Sequence, residues 1–214
     1  MAEEVAEPFL KELAAAFTQQ IGEKPVENND YPWLITESAY DKCAALAEDY
    51  RDRIVYGGVG DRNTRRYAPT IIYPVSADEP IVQHELFNPL LPIVPYKDAE
   101  VEQMMDTIAR REHPLAMYLF TRDLRWAKRT MQRQQYGGGC INEVCVHLMV
   151  KGVPFNGTGH SGMGAYHGEW GFREFTHPST VLIGSNRFNL SLREHPYSGK
   201  VGERKLKILK LISN

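Results

Sequence analysis

The sequence predicts an α/β fold, a sheet with parallel pairs and flanking helices. Strand-length apolar runs at residues 90–96 and 115–121 alternate with helical patterns at 97–111 and 123–134, the alternation that builds parallel units with helical crossovers. Gly137 then opens a further strand directly after the second of those helices. No internal repeat or low-complexity segment competes with this reading.

Taken in order, residues 3–21 place Val5, Phe9, Leu13, Ala16 and Phe17 at helical spacing, and Gly22 with Pro25 stops the helix. After a polar connector, Thr36 and Ser38 can cap a second helix to about Tyr50, with Ala39, Cys43, Leu46 and Ala47 on its buried face. Residues 53–56 are a short β-prone run ended by Gly57 and Gly58. Residues 67–75 are another, with Pro69 and Pro74 at edge or boundary positions and a polar turn before it. The helix at 97–111 turns Val101, Met104, Met105 and Ile108 inward. Beyond His177, residues 179–183 read as a strand and 186–200 as irregular. The tail reads as an amphipathic helix, in which Arg204, Lys205, Lys207 and Lys210 alternate with Leu206, Ile208, Leu209 and Leu211.

Composition narrows the function classes. The 25 basic and 27 acidic residues leave a net charge of −2, which supplies no bulk field for nucleic acid. The basic tail is too short and too charged to span a bilayer, and the acidic N-terminus lacks a signal peptide's apolar run, so a soluble, cytoplasmic protein is expected. Cys43, Cys140 and Cys145 form no C-x-x-C pair and cannot all pair within one chain; reduced thiols follow.

Residues 136–177 concentrate ten glycines with four His, two Tyr, one Trp and three Phe. Such a mixture suits backbone that turns at positive φ or approaches a ligand closely. The runs GGGCINEVCVHLM and VPFNGTGHSGMGAYHGEWGFREFTHPSTVLIG, with Gln83-His84-Glu85-Leu86-Phe87-Asn88-Pro89 upstream, resemble the C-terminal part of an aldehyde dehydrogenase of the class three, fatty-aldehyde type. The resemblance runs from about Tyr50 to Ile183, with a weaker match around Tyr197. It implies a partial catalytic domain over residues 1–177, then an oligomerisation strand and tail over 178–214. It also implies NAD or NADP as cofactor of the complete enzyme, an aldehyde substrate, and a homodimer or a complementary N-terminal half as partner. In that family the nucleophilic Cys, the general base, the oxyanion Asn and most of the cofactor domain lie upstream of the region seen here, so no catalytic residue is expected in this chain. A non-catalytic assembly or binding module derived from the same fold is the alternative.

The resemblance assigns Glu85 to the ribose next to nicotinamide and Phe87 to the same end of the cofactor; a carboxylate accepts two hydroxyl donors and an aromatic face shields the hydride-transfer site. It places Phe155 in the wall of the substrate pocket and Tyr166 with His167 at its mouth. The chain departs from the pattern at His84, which replaces an acidic residue, and at Asn88 and Asn156, which replace Gly. Asn tolerates left-handed backbone best after Gly, so both turns can persist. His147, His160, His167 and His177 lack metal-ligand spacing, and GTGHSGMG lacks the Lys-Ser/Thr ending of a phosphate loop. Cys140 near His147 has the makings of a Cys–His nucleophile, but a Cys in an apolar strand is ordinarily buried and inert.

Overall fold

Helical spacing and capping decide the first elements of the chain, whose computed structural model describes residues 1–187 and 191–212, the side chain of Arg193 excepted. A 3-10 turn over Glu3–Val5 leads into α1 (Ala6–Ile21), which ends at Gly22 with φ +90°. Only Ala6 of this helix is buried, and Val5 and Phe9 stay exposed, so the apolar face expected from the spacing is partly uncovered. α2 (Glu37–Asp49) begins at Thr36, whose hydroxyl accepts the Ala39 N–H at 3.0 Å, a cap contributing about 1 kcal/mol. It buries Tyr40, Cys43 and Ala47.

Two units form, residues 1–150 with 155–164 and residues 151–154 with 165–214. In the first, β1 (Ile54–Tyr56) is followed by the hairpin β2 (Gly60–Asp61) and β3 (Arg66–Tyr67), where the sequence reads only as a polar turn. Asp61 makes that turn by accepting the Asn63 N–H and the Thr64 hydroxyl. β4 (Thr70–Ile72) pairs antiparallel with β1 and parallel with β5 (Leu90–Pro92). α2 and this sheet enclose the core, which contains Tyr40, Cys43, Ala47, Tyr50, Tyr67, Ile72, Val75, Ile81 and Leu90. Burial pushes the Cys43 thiol up to about 12, so it stays protonated and unreactive in the folded chain.

Thr70 is fully buried yet satisfied: its hydroxyl donates to the Ala68 carbonyl at 2.8 Å and accepts the Gly58 N–H at 2.9 Å. Gly57 passes this clasp at φ +80°, where a Cβ would lie 2.1 Å from the Pro69 carbonyl oxygen. No other residue fits there.

Arg53 grips Glu79 with both guanidinium nitrogens at 2.7 Å, while Glu79 also accepts the Ser76 N–H at 2.6 Å. The Arg53 bonds first, then the Ser76 bond, hold the Glu79 carboxyl down to about 2. A carboxyl depressed in the folded state gives stability that is complete above its unfolded value of about 4.3 and lost as pH falls through the folded one. Glu79→Gln is therefore expected to flatten the acid-side fall of the urea midpoint between about pH 4.5 and pH 2. An unchanged slope would show that the pair contributes nothing to acid resistance.

The rest of this unit is α3 (Val101–Ala109), β6 (Ala116–Leu119), α4 (Leu124–Arg133), β7 (Gly138–Ile141) and β8 (Phe155–Asn156). β6 and β7 are parallel, Tyr118 opposite Cys140, as the alternation of strands and helices predicts. Asp123 caps α4 by accepting the N–H groups of Arg125 and Trp126 at 2.9 Å each. Trp126 and Arg133 reach back to Glu102, tying α4 to α3. Among the described residues β6 and β7 make a two-stranded sheet, and β6 is half-buried apart from Leu119.

The second unit holds β9 (Ala165–Tyr166), α5 (Glu169–Glu174) and α6 (Gly199–Ile212). The strand expected at residues 179–183 does not form, and Val181, Leu182 and Ile183 are 82%, 86% and 92% exposed. A strand needs a neighbour to take up its backbone groups, and none pairs with this segment among the described residues. The stretch expected to be irregular holds a 3-10 turn, Ser191–Arg193, and the start of α6, while residues 188–190 lie outside the described residues. In α6, Leu206, Ile208 and Leu211 are exposed, and among the described residues no helix is long and apolar enough to cross a membrane.

Candidate functional site

The segment between Val82 and β5 carries the first pair of candidate residues. Leu86 packs partly buried against the core cluster, while Glu85 and Phe87 on either side of it are exposed. Phe87 is 85% exposed, far more than an aromatic gains by standing in water. Glu85 is exposed as well, and no hydrogen bond or ion pair involves its carboxylate among the described residues. Two long side chains, one acceptor and one aromatic, thus stand exposed two residues apart on one short segment.

The backbone beneath them is held at both ends. Upstream, the Arg53–Glu79 pair fixes the turn at Ser76, and the Arg111 guanidinium donates to the Val82 carbonyl at 2.8 Å and to that of Ala77. Downstream, the Asn88 side chain accepts the Leu90 N–H at 3.0 Å and the Pro89 carbonyl accepts the Thr70 N–H at 3.0 Å. Asn88 and Asn156 do not adopt the left-handed backbone that the Gly exchange suggests. At Asn88 the turn persists because the side chain itself closes it.

A second group gathers where β6 and β7 end. Cys140 Sγ lies 3.6 Å from His147 Nδ1, and the Tyr118 hydroxyl lies 3.7 Å from Cys145 Sγ. The His147 ring sits edge-on to Tyr118 at 5.8 Å and tilted against Phe155 at 6.2 Å. Cys140 is half-buried and Cys145 exposed, so the sealed, inert position expected for Cys140 is not what the fold provides. Asn142, at φ +58°, instead does structural work: its amide accepts the Thr121 N–H and donates to the Thr121 carbonyl. Glu143 accepts the N–H of its neighbour Val144.

Tyr166 and His167 belong to the second unit and meet edge-to-face at 4.5 Å between ring centroids. His167 turns the chain at φ +94° just before Gly168, and the Trp170 indole N–H donates to the Gly152 carbonyl at 3.3 Å. Within its own unit the structure thus brings together Glu85 with Phe87, Phe155 with His147, and Tyr166 with His167. Tyr118 is a neighbour of this group that the sequence does not mark; its only signal is a strand register that no spacing rule supplies. No group of three His, Cys, Asp or Glu side chains converges as a metal site among the described residues.

The profile of the Aldehyde dehydrogenase family matches residues 1–181. Aldehyde dehydrogenase family 3 member H1 of Arabidopsis thaliana is 37% identical over 193 residues, which are 89% of this chain and 39% of that protein. The dimeric, NADP-preferring aldehyde dehydrogenase of Bos taurus is 34% identical over 174 residues, 81% of this chain and 71% of the relative. Among solved structures, the substrate-bound state of Staphylococcus aureus AldH superposes with a TM-score of 0.90 at 30% identity, covering all of this chain and 45% of that one. The chain thus spans about two fifths of the length of the plant relative.

Proposed function

The chain belongs to the aldehyde dehydrogenase family, and from that premise we propose that it is the C-terminal portion of an NAD(P)-dependent enzyme that oxidises aldehydes to carboxylic acids. The observation that carries this reading is the uncommitted pair Glu85 and Phe87 on a backbone pinned by Arg53, Arg111 and Asn88. Residues 1–177 are the part of the catalytic domain that this chain supplies, and 178–214 are the oligomerisation segment and tail. The protein works in the cytoplasm, in keeping with three free thiols.

The donor set fits a nicotinamide dinucleotide. Glu85 offers two carboxylate oxygens to a ribose diol, and Phe87 offers an aromatic face beside it. When bound, the cofactor supplies a hydride acceptor. Glu85 orients the sugar, and Phe87 excludes water from the face where transfer occurs. Phe155 walls the aldehyde pocket. The thiol that attacks the aldehyde, the base that activates it and the oxyanion donor come from an upstream half, and the chain alone is inactive.

The test is aldehyde-dependent reduction of NAD and NADP by the chain alone and after mixing with a separately produced N-terminal half of a family member. Turnover only in the mixture is expected. Turnover by the chain alone that disappears when one of its cysteines is replaced would place the nucleophile here and overturn the assignment.

A second reading, a non-catalytic module that joins other copies or an intact dehydrogenase, is favoured by the uncovered apolar run Val181-Leu182-Ile183. A strictly monomeric chain at all concentrations, alone and with a full-length homologue, would remove it.

A further inference from the structure

We propose that Cys140 and His147 form a base-assisted thiol that adds covalently to soft electrophiles, with conjugated enals as the reacting class. The pair stands on geometry. Cys140 Sγ is 3.6 Å from His147 Nδ1, within reach for a sulfur–nitrogen hydrogen bond. The other ring nitrogen, Nε2, is buried and has no hydrogen-bond partner among the described residues. A buried polar nitrogen left unmatched is uncommon in folded proteins and points to a role other than structural bonding.

The surroundings keep the imidazole on the sulfur. Tyr118 and Phe155 flank the ring at 5.8 Å and 6.2 Å. Beneath it lies Gly138, where a Cβ would come 2.7 Å from His147 Cδ2 and 3.1 Å from Nε2. The glycine is what lets the ring lie against β7.

The reaction balances without any oxidant. His147 Nδ1 takes the thiol proton as the sulfur lone pair forms a bond to the β-carbon of the enal. The carbon–carbon π pair moves towards the carbonyl oxygen, and the resulting enolate takes the proton back from His147 at its α-carbon. Nothing leaves and no group changes oxidation state overall. Cys140 is half-buried, so small electrophiles reach it best, whereas Cys145 is exposed, lies against the Tyr118 hydroxyl and has no hydrogen bond to an imidazole among the described residues. The choice of enals rests on the proposed role in aldehyde chemistry; the nucleophile does not, and its readout involves no turnover.

The experiment treats the full chain with acrolein at neutral pH and follows adducts on each cysteine-containing peptide by mass spectrometry. Cys140 is expected to be modified faster than Cys145, despite being less exposed. His147→Asn is expected to slow the Cys140 adduct about tenfold or more while leaving Cys145 unchanged as an internal standard. Gly138→Ala, which pushes the ring off the strand, is expected to do the same. Modification of Cys145 ahead of Cys140, or a Cys140 rate that neither variant lowers, would overturn the proposal. Labelling of Cys43 would report unfolding in any variant, because that thiol is sealed in the core.

Discussion

Glu85→Ala is expected to weaken nicotinamide-dinucleotide binding about ten- to a hundredfold in enzyme completed with an upstream half, without moving the unfolding midpoint of the chain. Hydrogen bonds to a charged acceptor contribute about 1.5–3 kcal/mol, and each 1.4 kcal/mol is tenfold in affinity. The stability side follows from exposure: Glu85 has no partner among the described residues to lose, and such surface changes stay within about 0.5 kcal/mol. Glu85→Gln keeps one acceptor oxygen and should fall between. Phe87→Ala should raise the rate at which water competes at the transfer face more than it lowers affinity. Cofactor titration by fluorescence checks the first result. Equal affinity in wild type and Glu85→Ala would remove the ribose contact and with it the observation on which the proposed function stands.

Much of the fold was legible because its signals are local. Of the two cap candidates Thr36 and Ser38, Thr36 caps α2, and Asp123, at the start of the helical pattern, caps α4; each is a single side chain acting on its own helix. The parallel pair of β6 and β7 followed from an apolar run, a helix and a glycine in sequence. The misses are non-local. Residues 179–183 have the composition of a strand, but a strand is made by its partner, and nothing pairs with Val181 here among the described residues. The hairpin at Gly60 and Arg66 was hidden because its two strands are two residues each, too short for any alternation to register. At the site, Glu85 and Phe87 were reached by motif resemblance. The Cys140–His147 contact shows in the sequence only as a spacing, because burial of a cysteine depends on how many strands flank it, and a two-stranded sheet leaves Cys140 half open.

Ile72→Ala is expected to cost about 3–4 kcal/mol, the loss of transfer free energy plus the cavity left in a core that cannot close over it. Ile72 is fully buried among Tyr40, Cys43, Tyr67 and Leu90, and its carbonyl accepts the Ile93 N–H at 2.9 Å. Set against a domain stability of about 5–15 kcal/mol, that is a large fraction. Val55, on the facing strand β1 but exposed, is the control: Val55→Ala should shift the urea midpoint by little. The effect should also reach the candidate site. Leu86, between Glu85 and Phe87, packs on the same cluster as Ile72, so a void there removes the support that holds both exposed side chains in register. Amide hydrogen exchange in the segment from Glu85 to Asn88 is therefore expected to accelerate in Ile72→Ala and not in Val55→Ala. Loss of stability with exchange in that segment unchanged would mean that the anchors at Arg53, Arg111 and Asn88 suffice, and that the core stabilises the fold without positioning the site.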